Sequence, residues 1–214
     1  MTLHFDTSDR GVREFALEAA ASAARRGDLV VLPTDTVYGL GCDAFNPHGV
    51  AALLAAKGRG RDMPVPVLVG SPETVEGLAY GLSKAARDLV EAFWPGALTV
   101  VVRHQPSLAW DLGDANGTVA LRMPLHPVAI ELLRIVGPMA VSSANRSGSA
   151  PATSAAEAEA QLGDSVAVYL DAGTSGAAVP STIVDVSGPV PRLLRLGAID
   201  LATLRTVAPD LLEG

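Results

Sequence analysis

Five basic residues, Lys57, Arg59, Arg61, Arg122 and Arg195, and seven small polar ones, Thr34, Thr36, Ser142, Ser143, Asn145, Ser181 and Thr182, fall at the predicted ends of strands and helices. The run Lys57-Gly58-Arg59-Gly60-Arg61 concentrates three cations between glycines that let a backbone approach a ligand, in a chain whose only lysines are Lys57 and Lys84. On a protein of formal net charge −7, such a cluster points to capture of a particular anion rather than to a general polyanion-binding face. Guanidinium forks match phosphate or carboxylate oxygens in pairs and can neutralise the charge that develops when a triphosphate is split. Hydroxyls and amides suit the polar edges of an amino acid or a ribose, although each alone also serves as a cap or turn residue.

Other chemistries are excluded by what is missing. There is neither a Gly-x-x-x-x-Gly-Lys-Ser/Thr loop nor a Gly-x-Gly-x-x-Gly turn, so a nucleotide site must be of another kind. His4, His48, His104 and His126 lack partners at i+3 or i+4, and no metal ligands are expected from the chain. Asn145-Arg146-Ser147-Gly148-Ser149 does not match a nucleophile elbow. A single cysteine, Cys42, forbids an intramolecular disulfide and a cysteine-based zinc site, and with no base at a readable spacing it reads as a small buried residue. The 16 basic against 23 acidic residues and 4% aromatic content argue against an RNA-binding face.

The positioning elements follow from periodicity and caps. An apolar strand at 29–32 delivers Pro33-Thr34-Asp35-Thr36 to its carboxyl edge, where open α/β sheets hold ligands. Ser8 or Asp9 starts a helix that Gly27 ends, with Val12, Phe15, Leu17 and Ala19 on its apolar face. Gly39-Leu40-Gly41 reads as a loop, and Asn46-Pro47 opens a helix over 49–56, so that the basic loop leaves a helix carboxyl end. Further helices are expected after Ser71-Pro72, from Ser83 to Trp94, from His126-Pro127 to Val136, and from Thr153 or Ser154 to Leu162; strands are expected at 65–69, 98–102, 118–123, 139–142, 166–171, 182–186 and 193–195. Because no helix separates the runs near 98 and 118, the pattern predicts a single α/β domain with a twisted, mixed parallel and antiparallel sheet flanked by helices. A length of 214 residues and 49% hydrophobic content suit one core. No apolar run reaches the ~18 to 20 residues of a membrane span, and residues 1–10 carry Asp6 and Asp9 in place of a signal-peptide core, so a cytoplasmic protein without membrane attachment is expected.

Six segments then carry a resemblance: Pro-Thr-x-Thr-x-Tyr-Gly-Leu at 33–40, Lys-x-Arg at 57–59, Trp-Pro-Gly at 94–96, Arg-x-Pro-x-His-Pro at 122–127, Ser-Ala-Asn at 143–145 and Ser-Thr-Ile at 181–183. In this order, across about residues 10–200, the chain resembles the YrdC-type L-threonylcarbamoyladenylate synthases in their short, single-domain form. The resemblance implies a YrdC/RibB-like fold over 1–214 without an additional carboxyl-terminal domain. It implies a nucleotidyltransferase that forms threonylcarbamoyl-AMP and pyrophosphate from L-threonine, bicarbonate and ATP, with Mg²⁺ accompanying the phosphates. The product would serve N6-threonylcarbamoylation of adenosine 37 in tRNAs reading ANN codons, through a separate downstream transferase complex, with at most weak direct contact to tRNA.

Carried over by motif, ATP would be held by Lys57, Arg59, Arg61, Ser143, Asn145 and Arg195, with Lys57 and Arg59 also acting catalytically, and L-threonine by Thr34, Tyr38, Arg122, Ser181 and Thr182. His126 is expected to be a structural helix-start residue. The chain departs from the pattern at Gly60, where many members have proline, at Leu68, where many have histidine, and at Leu196, where Arg-Pro-Gly is common. Segment 58–66, with two glycines and two prolines, and the small-residue segment 173–180 stand beside the motifs, and one or both are expected to close over ATP and threonine. A reading of a different class, an RNA- or nucleotide-binding regulatory module without turnover, would show no pyrophosphate release dependent on threonine and bicarbonate.

Overall fold

Alternation of side chains between two apolar clusters organises the molecule. Val30 and Leu32 pack in one and Val31 in the other; Met139 and Val141 oppose Ala140, and Val168 and Leu170 oppose Tyr169. A sheet buried on both faces explains why these strands read as continuous apolar runs. The computed structural model describes residues 2–176 and 178–214. Its elements are β1 (Leu3–Asp6), α1 (Arg10–Arg26), β2 (Val30–Leu32), β3 (Gly39–Asp43), α2 (Pro47–Lys57), β4 (Val67–Leu68), α3 (Thr74–Leu78), α4 (Lys84–Phe93), β5 (Leu98–Arg103), β6 (Thr118–Arg122), α5 (Pro127–Val136), β7 (Met139–Ser143), α6 (Ala155–Leu162), β8 (Val168–Asp171), β9 (Thr182–Asp185), β10 (Arg192–Arg195), α7 (Leu201–Arg205) and β11 (Leu212–Glu213).

Among the described residues eleven strands form one sheet in the order β1-β8-β2-β3-β7-β4-β6-β5-β9-β10-β11. Pairing is mixed: β2 runs parallel to β8 and β4 to β6, whereas β3 is antiparallel to both β2 and β7, and β5 to β6. Helices α1 and α5 cover one face through Ala16, Leu17, Ala20, Val128, Leu132 and Leu133. On the other face Leu53 and Leu54 of α2, Leu89 of α4 and Leu162 of α6 join the larger cluster. Among the described residues no helix is long and apolar enough to cross a membrane.

Caps follow the expected chemistry, and two other expectations are revised. Asp9, not Ser8, caps α1 by accepting from the Gly11 amide, and Gly27 closes it in the left-handed region. The buried stripe of α1 is mainly alanine, Ala16, Ala20, Ala21, Ala23 and Ala24 beside Leu17, while Phe15 is 67% exposed and meets Phe5 edge-on. Small side chains let this helix lie close to the sheet, so the bulkiest apolar residue is not the most buried one. Gly39-Leu40-Gly41 is strand, not loop: a Cβ on Gly39 would lie 2.6 Å, and one on Gly41 2.8 Å, from the Val141 side chain of the neighbouring strand. These glycines serve close strand packing rather than a turn.

Candidate functional site

The register Leu32↔Gly39↔Ser143 sets the end of β2, the start of β3 and the end of β7 side by side. Two turns leave this edge. The 34–38 turn is folded by its own hydroxyls: Thr34 Oγ1 donates to the Val37 carbonyl at 2.6 Å, accepts from the Thr36 amide at 3.2 Å and lies 3.1 Å from Thr36 Oγ1. The 143–145 turn is sewn to it by the Ala144 amide on the Tyr38 carbonyl, 2.8 Å.

Arg122, at the end of β6 and only 6% exposed, anchors one half of the site. Its Nε donates to the Gly96 carbonyl (2.9 Å), Nη1 to Thr36 Oγ1 (2.9 Å) and Nη2 to Asp35 Oδ1 (2.6 Å). Of the five guanidinium N–H groups two remain for a ligand. Burial and the neighbouring Arg195 oppose its charge, and Asp35 supports it. Arg195 grips Ser181, donating to its carbonyl (2.8 and 3.1 Å) and to Oγ (3.1 Å), and Ser181 Oγ lies 2.8 Å from Thr99 Oγ1.

Thr182 and Tyr38 have different tasks from those of a free hydroxyl. Thr182 Oγ1 donates to the Ile199 carbonyl (2.7 Å) and accepts from the Gly197 and Ile199 amides (both 3.0 Å), which spends one donor and two acceptors. It therefore straps residues 197–199 over the start of β9. Tyr38, fully buried, donates to the Gly173 carbonyl (2.6 Å) and accepts from the Ala172 amide (3.0 Å), and burial pushes its pKa up to about 12. The strap needs glycine at 197, where a Cβ would sit 2.3 Å from the Pro180 oxygen and 2.5 Å from the Ser181 carbonyl carbon. Gly197→Ala is expected to cost ~1 to 3 kcal/mol as overpacking, read as a lower urea midpoint; an unchanged midpoint would mean that the strap can step aside.

Lys57 and Arg59 form the other half. Lys57 is the last residue of α2, 4% exposed, and its ammonium enters the 143–145 turn, donating to the Ser143 carbonyl (2.5 Å), the Asn145 carbonyl (2.8 Å) and Asn145 Oδ1 (3.2 Å). All three N–H groups are thus spent, which leaves Lys57 its charge and the turn it holds. Burial, then Arg59, lowers its pKa to about 8. Arg59 is the reverse case: its contacts to Ser142 Oγ and the Pro64 carbonyl are long, 3.3 and 3.4 Å, and its buried Nε has no partner. An orphaned guanidinium nitrogen is costly unless a partner meets it, and Arg59 is the less satisfied of the two cations.

Other expected residues lie apart from these clusters or face inward. Arg61 is exposed and paired with Asp111 (2.7 Å) and Asp114 (3.4 Å). Asn145 Nδ2 is turned into its own loop, on the Arg146 and Ser149 carbonyls. His126 stands at the start of α5 without capping it, its Nδ1 buried and unpartnered and its pKa lowered by burial. Leu68 packs in the apolar cluster with Val128, Leu132 and Met139 and so faces the helices.

Asp35 and Ser175 were not expected. Asp35 Oδ1 accepts from the Leu125 amide (2.9 Å) as well as from Arg122, and so joins two of the recognised segments. Ser175, whose buried Oγ has no partner, lies in a segment tied by its amide to the Thr153 carbonyl and abutting the Asp35 carbonyl at Gly176. Of the 173–180 segment, Ala177 lies outside the described residues. No group of three or more His, Cys, Asp or Glu that could hold a metal occurs among the described residues.

The profile of the family described as "Sua5_yciO_yrdC: Telomere recombination" matches residues 22–197. The chain belongs to the Sua5/YciO/YrdC family. A Mycobacterium tuberculosis relative named "Putative threonylcarbamoyl-AMP synthase" is 61% identical over 207 residues, covering 97% of this chain and 95% of the relative. Among solved Sua5/YciO/YrdC structures, Pyrococcus abyssi Sua5 complexed with L-threonine superposes with a TM-score of 0.89 at 32% identity, and a doubly substituted form of the same protein with 0.95 at 33%; both cover all of this chain, which spans 62% of theirs.

Proposed function

We propose that this chain is an L-threonylcarbamoyladenylate synthase, a nucleotidyltransferase that joins L-threonine, bicarbonate and the AMP moiety of ATP and releases pyrophosphate. The observation that carries the reading is the joining of two unlike clusters through the linked 34–38 and 143–145 turns: a buried Arg122 with two free N–H groups, and an Arg59 with an unpartnered buried Nε beside the Lys57-held loop. The first suits a carboxylate and the second a phosphate. The relatives' names and the threonine complex of P. abyssi Sua5 support it.

In this reading threonine's carboxylate sits on Arg122, with Ser181 held in place by Arg195 and the pocket shaped by the ties of Thr34, Tyr38 and Thr182. The amine and bicarbonate give an N-carboxylated threonine and water. The new carboxylate oxygen attacks the α-phosphorus of ATP; a P–O bond forms, the bond to the β-phosphate breaks, and pyrophosphate leaves with the electron pair. Arg59 and the field of Lys57 neutralise the departing charge, and the protein contributes chiefly position and electrostatics. Mg²⁺ would accompany ATP as part of the substrate and would supply further neutralisation of the phosphate charge beside Arg59 and Lys57. The product then passes to a separate transferase that modifies adenosine 37 of tRNA.

A pocket that pairs threonine's hydroxyl rejects its hydroxyl-free isostere far more strongly than its demethylated analogue, since an unpaired buried polar group costs more than an empty methyl space. Serine should therefore support pyrophosphate release ~10- to 200-fold less efficiently than threonine, and valine by ~10⁴-fold less. Equal release with all three would rule this pocket out.

A further inference from the structure

Asp35 uses one carboxylate oxygen and keeps the other. Oδ1 serves both Arg122 Nη2 and the Leu125 amide, whereas no donor among the described residues reaches Oδ2, and the side chain is 17% exposed. Arg122 is likewise only partly spent, with three of its five N–H groups in use. The charged groups acting on Arg122 are Asp35 and Arg195, and those acting on His126 are Asp35 and Arg13. Asp35 is the anion in this set.

An α-amino acid carries its two charges on one carbon, with the ammonium nitrogen and the carboxylate carbon only about 2.5 Å apart from standard bond lengths and angles. A carboxylate seated on the free N–H groups of Arg122 therefore brings its own ammonium to the neighbourhood of the atom 2.6 Å from Arg122, the Asp35 carboxylate. We propose that Asp35 binds the α-ammonium of the amino-acid substrate through Oδ2, so that Arg122 and Asp35 together read the zwitterion and reject carboxylic acids that lack the amine. The inference rests on the reading that Arg122 holds the threonine carboxylate. It also assigns the two carboxylate oxygens separate work: Oδ1 holds the arginine, and Oδ2 meets the substrate.

The test compares L-threonine with 3-hydroxybutyrate, which keeps the carboxylate, hydroxyl and methyl but lacks the amine, by calorimetric titration. The wild-type protein should prefer threonine by about 10-fold or more, the worth of a charge-assisted contact. Asp35→Asn retains an acceptor oxygen for Arg122 and Leu125 and loses the charge. It should bind threonine about 10-fold or more weakly and 3-hydroxybutyrate within about two-fold of wild type. Equal losses for both ligands would show that Asp35 only holds Arg122, and unchanged threonine affinity would show that it does not touch the substrate; either overturns the proposal. Should the variant not fold, the wild-type comparison still decides, because equal affinity for the two ligands refutes ammonium recognition. Failure of the wild type to bind threonine at all defeats the threonine reading itself, and the inference with it.

Discussion

Arg122→Met is expected to lower threonine-dependent pyrophosphate release by about 100-fold or more, the loss of a paired charge-assisted contact, and to destabilise the fold by ~3 to 5 kcal/mol. The second effect comes from what is left behind: the mostly buried Asp35 carboxylate, and Gly96 and Thr36 oxygens without their donor. Breaking one side of a buried ion pair costs more than the pair is worth. The double variant Arg122→Met with Asp35→Asn should accordingly recover much of the stability and none of the activity. Urea unfolding and a pyrophosphate assay read the two separately; a single variant as stable and as active as wild type would show that Arg122 neither holds the turn nor meets substrate.

Arg59→Met and Lys57→Met should part company. Removing Arg59 is expected to weaken ATP binding ~10- to 150-fold, the loss of a charge-assisted contact of ~1.5 to 3 kcal/mol, with little change in stability, because its bonds are long and its Nε is already unpaired. Two cations in a glycine-flanked loop suggest that either could be lost without harm to folding. The structure revises that for Lys57, whose removal strips donors from three acceptors, Ser143 O, Asn145 O and Asn145 Oδ1, at ~1 to 3 kcal/mol for each that water cannot reach.

Lys57 also sets a pH dependence. With its pKa lowered from 10.5 to about 8, its charge is lost as pH rises through about 8, and ATP affinity should fall there. Stability moves the other way: between about 8 and 10.5 the unfolded chain holds the proton that the folded chain has released, so this residue's contribution to stability rises with pH across that window. Titrations of ATP binding at several pH values on wild type and Lys57→Met check both, since the variant should lose the step near 8. Persistence of the step in Lys57→Met would assign it to another group.

Motif-bearing turns were legible because their chemistry lies within a few residues: Pro33 ending a strand, Ser83 capping α4, Pro127 opening α5. The mixed sheet was legible from the helix-free interval between β5 and β6. What was not legible depends on partners distant in the chain. Gly39 and Gly41 look like a turn until Val141 is seen against them. Asp35 looks like a turn acid until Arg122, 87 residues away, closes on it. Nor does sequence reveal whether a donor is already spent: Thr182 and Lys57 fit a ligand-binding motif, yet the Ile199 carbonyl and the 143–145 turn consume their hydrogen bonds. Strands β1 and β11 lie at the two edges of the sheet and are short, four and two residues, which leaves little periodicity to detect.

In the proposed reaction the carboxylate that attacks ATP is built from bicarbonate on threonine's nitrogen. Incubation with ¹³C-bicarbonate, L-threonine and ATP, followed by mass spectrometry of the adenylate, tests it most directly. The expected adenylate carries one bicarbonate carbon and one threonine, with one pyrophosphate released per molecule and none without bicarbonate. An unlabelled threonyl adenylate, or pyrophosphate release that is indifferent to bicarbonate, would contradict it.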